Sequence, residues 1–326
     1  IVISASSGIE INTRKLFAAA TQANKARIIV INKIDAENAD LKELVGQIQE
    51  TFGSQCRCAN LPSEDKRSII DCILNSSGQS SVMDVAQAHT ELLESIIEAD
   101  DALMESYLGG EEISSDKIPS VFVKALVSGT VIPIVFTNAR AEAGVVELMD
   151  LLTAYAPSPE EAAPAVLAEG ENKVEIKADP NGPLAGLVFR VGFDNRSNMK
   201  YAAIRIFSGK LDSGTQLLVN DARKPLRPGH PLKMQGGETR EVEGGSCGDI
   251  ITLAKLDELA HGDLVHDGKF SGKFVLPTIP KPMFSLALEP ASRGDESRLS
   301  AALEKLCCED VCFKVSRDTQ TKELVI

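Results

Sequence analysis

The tetrapeptide Asn32-Lys33-Ile34-Asp35 follows directly on the apolar run Ile28 to Ile31. An ionised aspartate carries two acceptor oxygens and no donor, so it suits a ring N–H and an exocyclic amino group presented side by side. Guanine has that edge and adenine does not, which makes Asp35 a candidate guanine discriminator. Asn32 is placed to bond the imidazole edge of the same base. The Lys33 stem can lie along the base face with its ammonium toward the ribose oxygen. The plainer alternative is a polar turn that closes a strand. Further on, Phe136-Thr137-Asn138-Ala139 ends a second apolar run, and backbone N–H groups at Thr137, Asn138 and Ala139 could meet a base carbonyl oxygen. Alone that segment reads as a solvated loop; beside Asn32 to Asp35 it becomes the other wall of a base pocket.

Phosphate chemistry is harder to find. A phosphate-cradling loop needs Gly-x-x-x-x-Gly-Lys-Ser/Thr, and the Gly-Lys pairs at 209, 268 and 272 have Ile204, Asp263 and Asp267 where the first glycine belongs. Asp179-Pro180-Asn181-Gly182 matches Asp-x-x-Gly formally, yet it comes after the base motif and reads as a turn. His261, Asp263, His266 and Asp267 cluster without the spacing of a helical metal pair and read as a solvated loop. The seven cysteines show no Cys-x-x-Cys pair, and Cys56, Cys58, Cys307, Cys308 and Cys312 read as core or helix residues of a chain from a reducing compartment. No catalytic residue and no metal ligand is assigned.

The elements that must position these residues are legible in outline. Ile1 to Asp35 reads as strand, helix, strand. Its apolar runs are continuous rather than alternating, as in parallel strands buried on both faces, and ligands bind at the carboxyl ends of such strands. A helix is expected from about Val82 to Leu108, with Val85, Leu92, Ile96, Leu103 and Tyr107 on one face and Gly109-Gly110 as its stop. Ile132 to Phe136 reads as a buried strand. Gly144 to Tyr155, with Val146, Leu148, Met149, Leu151 and Leu152, reads as its helix.

Residues 160–179 are rich in Pro, Ala and Glu and read as a linker. From 180 to 277, short segments punctuated by Gly, Asp, Asn and Pro indicate an antiparallel barrel. From 282 to 326 the order is strand, helix, strand and the start of another strand. The chain opens as if a strand were already under way and closes on a βαβ stump, so both ends are expected to be cut points.

Composition bounds the function. The 326 residues carry 34 Lys plus Arg against 47 Asp plus Glu, a net charge of -13, which argues against sequence-blind attraction to bare DNA. Hydrophobic residues make up 43% and aromatic residues 4%, as in ordinary globular proteins. No apolar run reaches the length of a membrane span.

Taken in order, these pieces resemble the ribosomal translocation GTPases typified by elongation factor G. Asn32 to Asp35 looks like the family's guanine motif. Glu91 to Ile113, containing Met104 to Glu112, resembles a helix of its inserted subdomain. Pro133 to Gly144, followed by Tyr155-Ala156-Pro157-Ser158-Pro159, is similar to the last base-binding loop and the exit from the G domain. Arg205 to Gly209 with Gly214, then Gly248-Asp249-Ile250 and Gly262-Asp263, resemble the second-domain barrel. Ser285 to Pro290 and Leu299 to Phe313 resemble the opening of the third domain. Two departures, Thr137-Asn138-Ala139 in place of Gly-Ser-Ala and a shorter insert, point to a paralogue of the standard factor.

The resemblance implies a multidomain α/β plus all-β plus α+β chain. Its parts are a truncated P-loop-type GTPase domain at 1–159 with a helical insert at about 41–131, a translation-factor β-barrel at 180–277, and an incomplete ferredoxin-like domain at 282–326. It implies GTP or GDP as cofactor, bound by Asn32, Lys33, Asp35, Thr137, Asn138 and Ala139, with Mg held by the full-length parent. The implied role is GTP-driven movement of tRNA and mRNA on the ribosome, or ribosome recycling, by a cytoplasmic monomer that contacts neither membrane nor DNA. This chain alone is expected not to hydrolyse GTP. The competing readings are a non-hydrolysing ribosome- or partner-binding module with a decayed nucleotide site, and a termination or ribosome-protection factor.

Overall fold

A computed structural model describes residues 1–110, 115–194, 197–236, 238–290 and 292–326. Glu111, Glu112 and Ile113 of the expected insert helix lie outside the described residues. The chain divides into two compact units, Ile1–Ala163 and Pro164–Ile326.

The first unit runs β1 (Val2–Ser4), α1 (Ile11–Gln22), β2 (Ile29–Asn32), α2 (Leu41–Phe52), β3 (Cys56–Cys58), β4 (Asn60–Pro62), β5 (Ile69–Asp71), α3 (Val85–Ile97), α4 (Asp101–Leu108), α5 (Ile118–Ser128), β6 (Ile132–Thr137) and α6 (Val145–Tyr155). Its central sheet has the order β1-β2-β6-β3, and every neighbouring pair is parallel. Along β6 the side chains divide between two cores. Ile132, Ile134 and Phe136 pack with Ile3, Ile29 and Ile31, whereas Val135 packs with Phe122 and Leu126. This is the two-sided burial that a continuous apolar run implies. β1 departs from it: it lies at the sheet edge, and Val2 is 67% exposed.

Three further expectations change. The single helix over 82–108 is two helices, because Asp100 caps a new start by accepting the Leu103 N–H at 3.3 Å. The insert is not only helical. β3 joins the central sheet beside β6, β4 and β5 form a hairpin, and Leu41, Ile48, Cys56 and Val82 share a core with Ile3 and Ile29. Of the apolar residues on α6, Leu151 is buried and Leu148 partly so, while Val146 and Met149 are 64% and 57% exposed.

The second unit begins with β7 (Ala165–Glu169) and β8 (Asn172–Ile176), a hairpin where a linker was expected. Gly170, at φ +63°, makes the turn. Leu167 and Ile176 bury their side chains with Phe274, so the apolar alternation is present but diluted by the surrounding Ala and Glu. The barrel strands are β9 (Ala185–Phe193), β10 (Lys200–Ser208), β11 (Lys210–Asp212), β12 (Leu218–Val219), β13 (Leu232–Gln235), β14 (Glu238–Glu241), β15 (Gly244–Ser246), β16 (Ile250–Ala254) and β17 (Leu264–His266), with β18 (Lys273–Phe274) pairing back to β7. Seven of them form an antiparallel sheet, β12-β17-β9-β10-β16-β13-β14, and β11 pairs with β15. Val188, Ile204, Ile206, Leu211, Ile251 and Leu253 fill the core.

The tail folds as β19 (Ala287–Leu288), α7 (Glu296–Glu309), β20 (Ser316–Arg317) and β21 (Leu324–Val325). Its sheet order is β19-β21-β20. The third strand lies antiparallel between the first two, as in the opening half of a ferredoxin-like βαββαβ unit. The first strand is shorter than Met283 to Leu288, and Met283 is 97% exposed. The next strand follows Cys312 to Val315 rather than occupying it.

Candidate nucleotide-base site

The parallel register of β2 and β6 sets Asn32 opposite Thr137. Both motifs therefore leave the sheet side by side at the carboxyl ends of their strands, where open α/β sheets bind ligands. Asn32 joins them. Its Oδ1 accepts the Ala139 N–H at 3.0 Å and the Thr137 hydroxyl at 3.2 Å, and its carbonyl oxygen accepts the Ala5 N–H at 2.8 Å. Because Ala139 N–H can only donate, the amide oxygen must face it and Nδ2 must face away. Among the described residues that Nδ2 has no partner, so it remains available to an acceptor such as the imidazole-edge nitrogen of a purine.

The loop after Asn32 is fixed by its one apolar member. Ile34 is fully buried, which leaves Lys33 and Asp35 exposed on either side. Lys33 takes a left-handed φ of +63°, uncommon for a residue with a side chain. The Ala36 N–H closes the turn onto the Lys33 carbonyl at 3.1 Å. Asp35 makes no hydrogen bond or ion pair among the described residues, so both carboxylate oxygens are open to a ligand.

Two backbone donors of the second loop are already engaged within the protein. The Asn138 N–H donates to the Ala143 carbonyl at 2.8 Å, and the Ala139 N–H is held by Asn32. Thr137 and Asn138 are 3% and 5% exposed, so their side chains shape the loop from inside. Asn138 also accepts the Ala141 N–H through its carbonyl and its Oδ1. One backbone donor of this loop left without a protein acceptor among the described residues is Arg140 N–H, one residue beyond the segment singled out from the sequence. A backbone donor has no side-chain signature, so residue type alone could not mark it.

Gly144 closes the loop at φ +77°, where a Cβ would stand 2.3 Å from the Phe136 carbonyl oxygen. Another contributor carried no sequence signal. Asn60, on β4, is 4% exposed, and its Oδ1 accepts the buried Phe136 N–H at 2.7 Å.

The other sequence candidates belong to the second unit. Asp179 forms an Asx turn, accepting the Asn181 N–H at 2.8 Å through Oδ1 and the Gly182 N–H at 3.1 Å through its carbonyl. The His261 to Asp267 segment is more ordered than a solvated loop. His266 lies in β17 at 4% exposure; it accepts the Gly268 N–H at Nδ1, so Nε2 carries the proton donated to the Asn220 carbonyl at 2.8 Å. Asp263 accepts from Asn220 and Ala260, and Asp267 from Leu184. Hydrogen bonds within the barrel thus engage Asp263, His266 and Asp267, three of the four residues that suggested a ligand set. No group of three or more His, Cys, Asp or Glu arranged to hold a metal occurs among the described residues.

Cys56, Cys58 and Cys72 are buried free thiols. Burial pushes Cys56 up to about 11 and Cys72 up to about 12, and Cys58 is raised further in the same direction. No described helix is long and apolar enough to cross a membrane.

Known proteins share this arrangement of domains. Residues 1–158 match the family model described as the elongation factor Tu GTP binding domain, residues 183–268 match elongation factor G domain 2, and residues 279–326 match elongation factor G, domain III. A crystal structure of a protein from Thermus thermophilus superimposes with a TM-score of 0.84 at 26% identity. The alignment covers 99% of this chain and 48% of that one, so the chain spans about half the length of the protein it matches. GTP-binding domain, barrel and third domain follow one another in the order that the sequence motifs anticipated, and the chain belongs to the elongation factor G-like translational GTPases.

Proposed function

We propose that the carboxyl ends of β2 and β6 hold the guanine base of GTP or GDP. Asp35 accepts the ring N–H and exocyclic amino hydrogens, and the Asn32 Nδ2 donates to the imidazole edge. The Lys33 stem covers the base face, and the Arg140 N–H meets the base carbonyl oxygen. Thr137, Asn138 and Ala139 shape that wall rather than donate to the base. The observation that carries this reading is the exposed carboxylate of Asp35, unpartnered among the described residues, beside an Asn32 whose oxygen already ties the two loops together. An unpaired acceptor pair facing a fixed donor is the complement of guanine and rejects adenine.

In this reading the chain supplies base recognition to an elongation factor G-like GTPase that works on the ribosome in the cytoplasm, in translocation or recycling. The bound nucleotide, with its Mg, supplies the hydrolysable phosphoanhydride. Most triphosphate affinity comes from backbone N–H groups and Mg around the phosphates. Residues 1–326 contain no Gly-x-x-x-x-Gly-Lys-Ser/Thr loop, so these residues alone bind the base weakly and do not hydrolyse GTP. Saturation-transfer NMR of the chain with guanosine and with adenosine tests the reading, since it needs no phosphate contact. Transfer to guanosine and not to adenosine is expected. Equal transfer to both, or to neither, would overturn it.

A further inference from the structure

We propose that Asn60 is a positioning residue for the base loop, through which the β4–β5 hairpin sets the geometry of Thr137 to Gly144. The starting point is where the ladder between β3 and β6 ends. The Ile132 N–H donates across it to the Gln55 carbonyl at 2.8 Å, and the Ala59 N–H returns a bond to the Ile134 carbonyl at 2.9 Å. Register pairing stops at Cys58 opposite Ile134, because the chain then turns into β4 and pairs with β5.

Phe136, two residues beyond Ile134, sends its N–H to the same side of β6. No backbone carbonyl of β3 remains to receive it. Asn60 takes the place of that missing strand: its Oδ1 accepts the Phe136 N–H at 2.7 Å with both residues buried. A buried N–H left unpaired is costly, so this side chain fixes where β6 ends.

The same hairpin reaches the far end of the loop. Ile69 on β5 stands with its Cγ1 3.1 Å from the point a Gly144 Cβ would occupy, and the Phe136 carbonyl oxygen lies 2.3 Å from that point. The loop that carries Ala139 and Arg140 is therefore held from two sides, by Asn32 from β2 and by the Asn60 hairpin from the insert. A buried asparagine in this position gives the insert a direct mechanical connection to base recognition. The functional output rests on the guanine reading above; the positioning itself rests on the hydrogen bond to Phe136.

The test compares Asn60→Ala, Asn60→Asp and a Leu92→Ala control in the full chain. Leu92 is buried in the other core of the first unit, so its truncation destabilises without removing a hydrogen bond to the loop. Hydrogen exchange of peptides spanning 136–144 is the first readout, with urea concentrations chosen to match overall stability. In Asn60→Ala, exchange in that loop is expected to accelerate about tenfold or more over the matched control. Asn60→Asp, which keeps an acceptor oxygen of the same reach, is expected to restore protection. The second readout is guanosine over adenosine transfer, expected to fall in Asn60→Ala and hold in Leu92→Ala.

Loop exchange in Asn60→Ala equal to that of the control would overturn the proposal. If Asn60→Ala does not fold, Asn60→Thr, with a shorter acceptor, gives the same comparison. Accelerated loop exchange in a chain that never distinguishes guanosine from adenosine would support the positioning role and refute only the guanine reading.

Discussion

Replacing Asn32 with Ala removes the side chain that ties the two base-binding loops together. Two hydrogen bonds are lost, and they differ in cost. The Ala139 N–H is exposed and regains water, so its loss costs about 0.5–1.5 kcal/mol. The Thr137 hydroxyl belongs to a residue 3% exposed and is left without its acceptor, which costs about 1–3 kcal/mol. Together they give roughly 1.5–4.5 kcal/mol, a large part of the stability of a typical domain. Asn32→Asp separates structure from recognition, because it keeps an acceptor for Ala139 and Thr137 but removes the outward N–H. Urea unfolding of the first unit, followed by exchange at Ala139, is the assay. Asn32→Ala is expected to lower stability by the stated amount and to expose Ala139, whereas Asn32→Asp stays closer to the parent yet loses guanosine. An Asn32→Ala chain within about 0.5 kcal/mol of the parent, with Ala139 still protected, would refute the bridging argument.

Gly144→Ala introduces a Cβ 2.3 Å from the Phe136 carbonyl oxygen at a left-handed φ. It should destabilise by more than the ~1–2 kcal/mol of the backbone conformation alone, read as a lower urea midpoint. The buried thiols give a pH dependence whose sign is fixed. Cys56 and Cys72 keep their protons to about 11 and about 12 in the fold, while the unfolded chain releases them near the ordinary cysteine value of about 8.5. Between those values the native state binds more protons than the unfolded one, so stability is intact below about pH 8.5 and falls as pH rises toward 11. Urea midpoints measured from pH 7 to 10.5 check this; a flat profile would contradict it. In the native state at pH 8, a small alkylating reagent should reach half-buried Cys247, Cys307, Cys308 and Cys312 before buried Cys56, Cys58 and Cys72, as peptide mapping would show.

How much of this was legible in the sequence depended on how local the signal was. Ile28 to Ile31 is an unbroken β-branched run and Ile132 to Phe136 an unbroken apolar one, and the motif after β2 uses side chains with a definite chemical meaning, so the strands and Asn32 to Asp35 were readable. The hairpin of β7 and β8 was concealed because only Leu167, Val174 and Ile176 mark its inner face among Ala, Glu and Lys. The break between α3 and α4 turned on Asp100 acting as a cap, and an apolar stripe continuing through Leu103 and Tyr107 masks a cap within it. The second loop was found, but which of its N–H groups face outward depends on long-range bonds to Asn32 and Ala143. Asn60 is further from reach: a single asparagine between Ala59 and Leu61 acquires meaning only once β3 is seen to leave β6.

The central claim is base recognition by Asp35, and exchanging its carboxylate for an amide tests it most directly. Asn at this position offers one acceptor and one donor where Asp offers two acceptors, and xanthine carries a carbonyl where guanine carries its exocyclic amine. Saturation transfer to guanosine and xanthosine should therefore reverse between the parent chain and Asp35→Asn, with guanosine preferred by the first and xanthosine by the second. An unchanged preference in Asp35→Asn would contradict the account.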